Sequence, residues 1–115
     1  MEWIEDEELM DAVTALSGSG PAYVFHMIEC MTAAGVSVGL PEALAERMAI
    51  QTVMGAGAYA ARSVDSPQRL REQVTSPGGT TAAALGVLMK QDALRELLAK
   101  AITAARDRGR ELART

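Results

Sequence analysis

Two consecutive helical segments in the middle of the chain are apolar on nearly every side. Residues 22–36 contain the polar side chains Tyr23, His26, Glu29 and Thr32, and residues 43–61 contain Glu46, Arg47, Gln51, Thr52 and the Tyr59 hydroxyl. A helix without a polar face has to be covered on nearly all sides, and a chain of 115 residues leaves a large share of its surface exposed. We therefore expect an obligate oligomer, a two-fold dimer with interlocked helical hairpins. The alternative is that amphipathic flanking helices cover both segments within one chain.

The rest of the sequence is also helical in pattern, so we predict an all-α fold, a bundle of five to six helices. Of the residues, 49% are apolar and only 3% are aromatic, a composition that favours helix. We expect helices over residues 6–16, 21–36, 41–62, 67–74 and 92–112, with another beginning at Thr80 or Thr81. The stretch SGSGP, residues 17–21, should end the first helix after Leu16, and Gly35 should help to end the second. Trp3-Ile4 is the one strand-like stub.

Charge and composition argue against several classes of partner. The net charge of −4 argues against nucleic acid. The longest apolar run, residues 21–36, holds His26 and Glu29 and is too short to span a bilayer, so we expect no membrane association. Without a signal-peptide pattern we expect a cytoplasmic protein. No Cys–His spacing suggests a metal site. The single cysteine, Cys30, is expected to be buried and unreactive, and His26, one turn from Glu29, to be a satisfied interface residue.

The stretch TSPGGTTAAAL, residues 75–85, carries more turn and hydroxyl residues than a plain turn needs. Glycines before a helix start let a ligand approach the backbone, and the first N–H groups of a helix attract anions. The loop could therefore hold a carboxylate or a phosphate. A tight turn with an N-cap explains part of the same pattern, and the residues alone leave both interpretations open. The SGSGP stretch raises a similar question, although a helix–helix junction needs just those residue types.

Taken together, these motifs resemble the C-terminal dimerisation domain of pyrroline-5-carboxylate reductase. The matching pieces are ALSGSGPAYVF (15–25), AAGVSVGLP (33–41), QTVMGA (51–56), REQVTSPGGTT (71–81) and ARDRGREL (105–112). They occur in the family's order and cover nearly the whole chain. The pairing of SGSGPAY with VTSPGGTT is very specific.

The resemblance implies an interlocked, all-helical dimer like the C-terminal domain of 6-phosphogluconate dehydrogenase. The family's enzymes join such a domain to a Rossmann domain that holds NADPH or NADH, and in some members dimers assemble further into rings. They reduce 1-pyrroline-5-carboxylate to proline, and the substrate carboxylate enters the loop described above. The implied substrate-binding residues are Ser76, Gly78, Gly79, Thr80 and Thr81, with the Thr81 hydroxyl nearest the ring nitrogen. Four further residues, Ser17, Gly18, Ser19 and Gly20, are implied to lie near the active-site cleft.

The sequence departs from the complete enzyme in one large respect. No G-x-G-x-x-G fingerprint is present, so the cofactor half is missing from these residues. We interpret residues 1–4 as the remnant of a linker from that half and residues 5–115 as the helical dimerisation and substrate-loop domain. We assign no catalytic, cofactor-binding or metal-binding residue here, expect no cofactor bound to this chain, and expect it to be inactive alone. The alternatives are the helical domain of a related NAD(P)-dependent imine or keto-acid reductase, or a non-enzymatic helical oligomerisation module.

Overall fold

The computed structural model of the chain describes residues 6–114, and within that range every regular element is a helix. The elements are α1 (Glu7–Val13), a π-helical turn (Thr14–Gly18), α2 (Gly20–Ser37), α3 (Glu42–Arg62), α4 (Pro67–Gln73), α5 (Thr80–Leu88), a 3-10 turn (Lys90–Asp92) and α6 (Ala93–Ala113). The all-α prediction with up to six helices is confirmed. The expected strand stub Trp3-Ile4 lies outside the described residues.

The first of two compact units comprises the residues up to Tyr23 together with those from Gly86 onward. Its helix α1 is capped by Asp6, whose carboxylate accepts a hydrogen bond from the Glu8 N–H at 2.9 Å. Helices α1 and α6 approach closely where Asp11 meets Gly109: a Cβ built on Gly109 would lie 3.2 Å from the Asp11 carboxylate. An alanine or larger residue at position 109 would therefore push the two helices apart.

The sequence predicted that the first helix ends after Leu16. Instead, α1 continues through Gly18 as a π-helical turn. The Ser19 N–H donates to the Thr14 carbonyl at 2.8 Å, an i→i+5 bond that widens the helix by one residue. The Ser17 hydroxyl bonds back to the Val13 carbonyl at 3.0 Å. These bonds keep the serine–glycine stretch helical where its composition favours a break.

The second unit spans residues 24–85 and contains the hairpin of α2 and α3. Gly35 was expected to help end α2, but it lies inside the helix. A Cβ at this position would stand 3.2 Å from the Ala45 Cβ and 3.4 Å from Leu40 Cδ1, so the missing side chain is what lets α2 and α3 touch. The helix ends two residues later, and the Leu40 N–H closes it by donating to the Gly35 carbonyl at 3.0 Å.

Helix α4 begins as its sequence predicts. The Ser66 side chain accepts a hydrogen bond from the Arg69 N–H at 3.2 Å, and Pro67 occupies the first helical turn. The Gln73 amide at the other end donates to the Asp65 carboxylate at 3.2 Å. Hydrogen bonds thus connect both ends of this short helix to Asp65 and Ser66, the two residues that precede it.

Small residues form the whole of the buried core among the described residues. The three buried hydrophobic residues are Ala15 at 1% exposure, Ala45 at 3% and Ala49 at 5%, and no large side chain is fully buried. Phe25, Met54 and Leu97 remain about two-thirds exposed. Among the described residues the large apolar side chains of α2 and α3 thus stay largely exposed, which favours the expected oligomer over the single-chain alternative.

Cys30 corrects a further expectation. It is exposed rather than buried, because α2 has no neighbouring helix over this side chain in the described part of the chain. Over the same residues, no helix is both long enough and apolar enough to traverse a bilayer. Nor do His, Cys, Asp and Glu side chains there gather in threes at metal-binding distances.

Candidate functional site

The loop between α4 and α5 is anchored at its start by Thr75. The Thr75 hydroxyl donates to the Arg71 carbonyl at 2.6 Å, and its N–H donates to the Glu72 carbonyl at 3.1 Å. Both acceptors belong to the last turn of α4, where carbonyls have no partner within the helix. Half-buried Thr75 therefore fixes the direction in which the chain leaves α4.

A tight turn follows from Ser76 to Gly79. The Gly79 N–H donates to the Ser76 carbonyl at 3.0 Å, which closes a four-residue turn. Pro77 occupies its second position and Gly78 its third, with φ of 73°, a left-handed value that disfavours residues with a Cβ. This is the residue pattern of a type II turn, so the proline and the first glycine have a local conformational role.

The turn leads directly into the N-terminus of α5. The Gly79 carbonyl accepts the Ala83 N–H at 3.1 Å, which makes Gly79 the N-cap residue. The N–H groups of Thr80, Thr81 and Ala82 precede that first helical bond, and no acceptor contacts them in the part of the chain that the structure describes. Such N–H groups carry partial positive charge and suit an anion.

Three exposed hydroxyl side chains surround these N–H groups: Ser76, Thr80 and Thr81. None of them makes a hydrogen bond within residues 6–114. The turn and the N-cap thus account for Pro77, Gly78 and Gly79 but not for the hydroxyls. All five predicted substrate-binding residues lie in one short stretch of the second unit. The Ser76, Thr80 and Thr81 hydroxyls and the Thr80 and Thr81 N–H groups are available to a ligand, whereas the Gly79 N–H is bound to the Ser76 carbonyl.

The other predicted segment, Ser17 to Gly20, belongs to the first unit. Ser17 and Gly18 form the end of the π-helical turn, and Ser19 and Gly20 are half-buried where α2 begins. Sequence reasoning missed the residue that holds this turn, Tyr23, whose hydroxyl donates to the Ala15 carbonyl at 2.7 Å. A tyrosine in an otherwise apolar helix signals that its hydroxyl needs a partner, but the sequence does not reveal which one.

These features define a class of protein: an all-helical domain whose apolar helices are left largely exposed by residues 6–114, with a glycine–hydroxyl loop at a helix start. Comparison with known proteins gives the family. Residues 7–112 match the family described as pyrroline-5-carboxylate reductase dimerisation, and the chain belongs to that family.

Individual relatives agree with this assignment. The chain is 47% identical over 106 residues to the pyrroline-5-carboxylate reductase of Synechocystis, covering 92% of this chain and 39% of that protein. It is 47% identical over 110 residues to the Pisum sativum enzyme, covering 96% and 40%. The structure of the Coxiella burnetii pyrroline-5-carboxylate reductase superposes with a TM-score of 0.90 at 45% identity, covering 96% of this chain and 40% of that one. The chain thus spans about two fifths of the length of these relatives.

Proposed function

We propose that this chain is the dimerisation and substrate-loop part of a pyrroline-5-carboxylate reductase, which reduces 1-pyrroline-5-carboxylate to L-proline with NADPH or NADH. The observation that carries the proposal is the family match over residues 7–112. It favours this family over a related imine or keto-acid reductase. A relative from Plasmodium falciparum, 36% identical with a TM-score of 0.85, has been solved with NADP bound, which supports a nicotinamide cofactor in the complete enzyme.

The cofactor has no candidate binding site in this chain. A dinucleotide needs a glycine-rich turn between a strand and a helix, and the sequence contains no such fingerprint. We place cofactor binding in a separate half of the enzyme and propose that the 115 residues alone do not reduce the imine. When bound in that half, the nicotinamide supplies the hydride.

The substrate loop binds and orients the cyclic imine. The N–H groups at the start of α5 receive the ring carboxylate together with the Ser76 and Thr80 hydroxyls, and Gly78 and Gly79 let it approach the backbone. The Thr81 hydroxyl lies nearest the ring nitrogen. A protonated imine nitrogen makes the neighbouring carbon more electrophilic, so the site needs orientation and no strong base. Ser17, Gly18, Ser19 and Gly20 lie near the cleft of the complete enzyme.

A second copy of the chain covers the apolar groove between α2 and α3. This groove has a volume of about 800 Å³ and a mostly apolar surface, with Phe25, Ile28, Val36 and Ile50 in its lining beside Glu29, Glu42 and Glu46. The exposed apolar side chains of this groove lie on helices without a polar face, which supports an interlocked homodimer. The proposal includes the further assembly of such dimers into a ring, a cytoplasmic location, and the absence of membrane and nucleic-acid partners.

A chimeric enzyme tests the proposal. Residues 7–112 of this chain replace the matching segment of the Coxiella burnetii reductase, which supplies the cofactor half. We expect NADPH-dependent reduction of pyrroline-5-carboxylate by the chimera and none by the isolated chain. A chimera that is folded, dimeric and able to bind NADPH but does not reduce the imine would contradict the proposal. Turnover by the isolated chain would contradict the assignment of cofactor binding to another half.

A further inference from the structure

We infer that Thr75 is a positioning residue: through its bonds to α4 it sets the direction in which the substrate loop presents its donors to the cyclic imine. The inference rests on the proposed reductase function and concerns a residue outside the predicted substrate-binding set. The Thr75 hydroxyl donates to the Arg71 carbonyl at 2.6 Å, and the Thr75 N–H donates to the Glu72 carbonyl at 3.1 Å. Thr75 immediately precedes Ser76, the first residue of that set.

Helix α4 gives these two bonds a fixed base. The Asp65 N–H donates to the Ser63 hydroxyl at 3.0 Å, and the Gln73 amide donates to the Asp65 carboxylate at 3.2 Å. Ser63 is the C-cap of α3, and its N–H donates to the Tyr59 carbonyl at 3.0 Å. A chain of hydrogen bonds thus runs from the end of α3 to the last turn of α4, which accepts both Thr75 bonds.

Apolar packing fixes the end of α4 less firmly. A groove of about 320 Å³ lies between α3 and α4, and Tyr59, Leu70 and Val74 are among the residues that line it. Val74, the residue before Thr75, is 67% exposed. Side chains that face an open groove lack partner atoms on that side and gain little dispersion energy there. The hydrogen bonds of Thr75 therefore contribute more than packing to the position of the loop.

The loop beyond Thr75 is bonded internally. The Gly79 N–H donates to the Ser76 carbonyl at 3.0 Å, and the Ala83 N–H donates to the Gly79 carbonyl at 3.1 Å, so the turn and the start of α5 are joined. A change in the Thr75 backbone consequently shifts the loop hydroxyls and the first α5 N–H groups together. A misplacement of about 1 Å costs on the order of 100-fold in rate where a substrate has to be oriented.

The Thr75 hydroxyl can be removed without the other bond. Thr75→Val keeps the branched shape and the backbone N–H but loses the donor to the Arg71 carbonyl, whereas Thr75→Ser keeps that donor. In the chimeric enzyme we expect Thr75→Val to lower kcat for pyrroline-5-carboxylate about tenfold, and Thr75→Ser to retain most of it.

An isotope effect separates positioning from a loss of folded enzyme. The isotope effect on kcat with NADPH deuterated at C4 should rise in Thr75→Val, because a misoriented imine makes hydride transfer the slower step. A smaller amount of folded enzyme would lower kcat without changing the isotope effect.

Ser37→Ala is the matched control. The Ser37 hydroxyl donates to the Ala34 carbonyl at 2.7 Å where α2 ends, so this variant loses the same kind of bond away from the loop. Its kcat should equal that of the unsubstituted chimera. An unchanged kcat in Thr75→Val, an equal loss in Ser37→Ala, or a lowered kcat with an unchanged isotope effect would each overturn the inference and leave the proposed function intact. An unsubstituted chimera without turnover would contradict the proposed function, and the inference with it.

Discussion

The Tyr23 hydroxyl donates a hydrogen bond of 2.7 Å to the Ala15 carbonyl, across eight residues of sequence. Ala15 is the most buried of the three buried core residues and lies within the π-helical turn. A π-helical turn shifts the backbone hydrogen-bond register, and turns of this kind occur frequently at functional sites. One side chain of α2 therefore fixes the shape of the turn that carries Ser17 and Gly18.

Removing this hydroxyl should destabilise the protein measurably. We expect Tyr23→Phe to lower the free energy of unfolding by about 1 kcal/mol, because the partly buried Ala15 carbonyl loses a hydrogen-bond partner. Tyr59→Phe is the matched control: Tyr59 is 60% exposed, and its hydroxyl makes no hydrogen bond among the described residues. Urea unfolding followed by circular dichroism compares the two. Equal losses for both variants would show that the Tyr23 bond does not stabilise the turn.

The contact at Gly35 predicts a steric effect. Gly35→Val should destabilise the protein by about 1–3 kcal/mol, because the new side chain meets Ala45 and Leu40 where α2 and α3 touch. Gly57→Val serves as the control, since it adds the same side chain to a helix where no atom lies within 4 Å of the new Cβ. The difference in urea midpoint between the two variants measures the clash. A Gly57→Val protein as unstable as Gly35→Val would instead place the close contact elsewhere.

The α2–α3 groove predicts a charge effect on assembly. Ile50 lines the groove and is 43% exposed in one chain, so a charge there costs little until a second copy covers it. Ile50→Glu also adds a carboxylate near Glu46, which lines the same groove. We expect the dissociation constant of the dimer to rise at least about 100-fold. Sedimentation velocity should show this loss, whereas Lys100→Glu on α6 should leave the dimer intact.

The substrate loop predicts a kinetic effect in the chimeric enzyme. Thr81→Val removes the hydroxyl that we place nearest the ring nitrogen, and we expect kcat/KM for pyrroline-5-carboxylate to fall about 10- to 100-fold. The KM for NADPH should not change, because we place cofactor binding in the other half. Thr81→Ser should retain most of the activity. If Thr81→Val left kcat/KM unchanged, the hydroxyl would have no role in the site.

Local signals predicted most of the helices. Ser66 and Pro67 mark the start of α4, and Thr80 marks the start of α5, because capping and proline geometry act within one turn. The loop of residues 75–81 was also singled out from its residues, and its role in substrate binding stays a prediction. The sequence could not show that Gly79 caps the helix or that Thr75 ties the loop to α4.

The errors share one physical cause, which is that tertiary contacts outweighed local preference. Gly35 is a weak helix former, yet it stays helical because its small size lets Ala45 approach. The serine–glycine stretch stays helical through bonds that a sequence pattern does not reveal. Cys30 was judged by its apolar neighbours along the chain, but its exposure depends on what packs over α2.

Sedimentation equilibrium of the unmodified chain at micromolar concentration tests the central claim most directly. The claim is that helices α2 and α3 cannot be covered by one copy, since only three alanines are buried among the described hydrophobic residues. We predict a mass of two chains or a multiple of it, with helix content lost on dilution as the dimer dissociates. A helical, cooperatively unfolding species with the mass of a single chain over the same concentration range would contradict it.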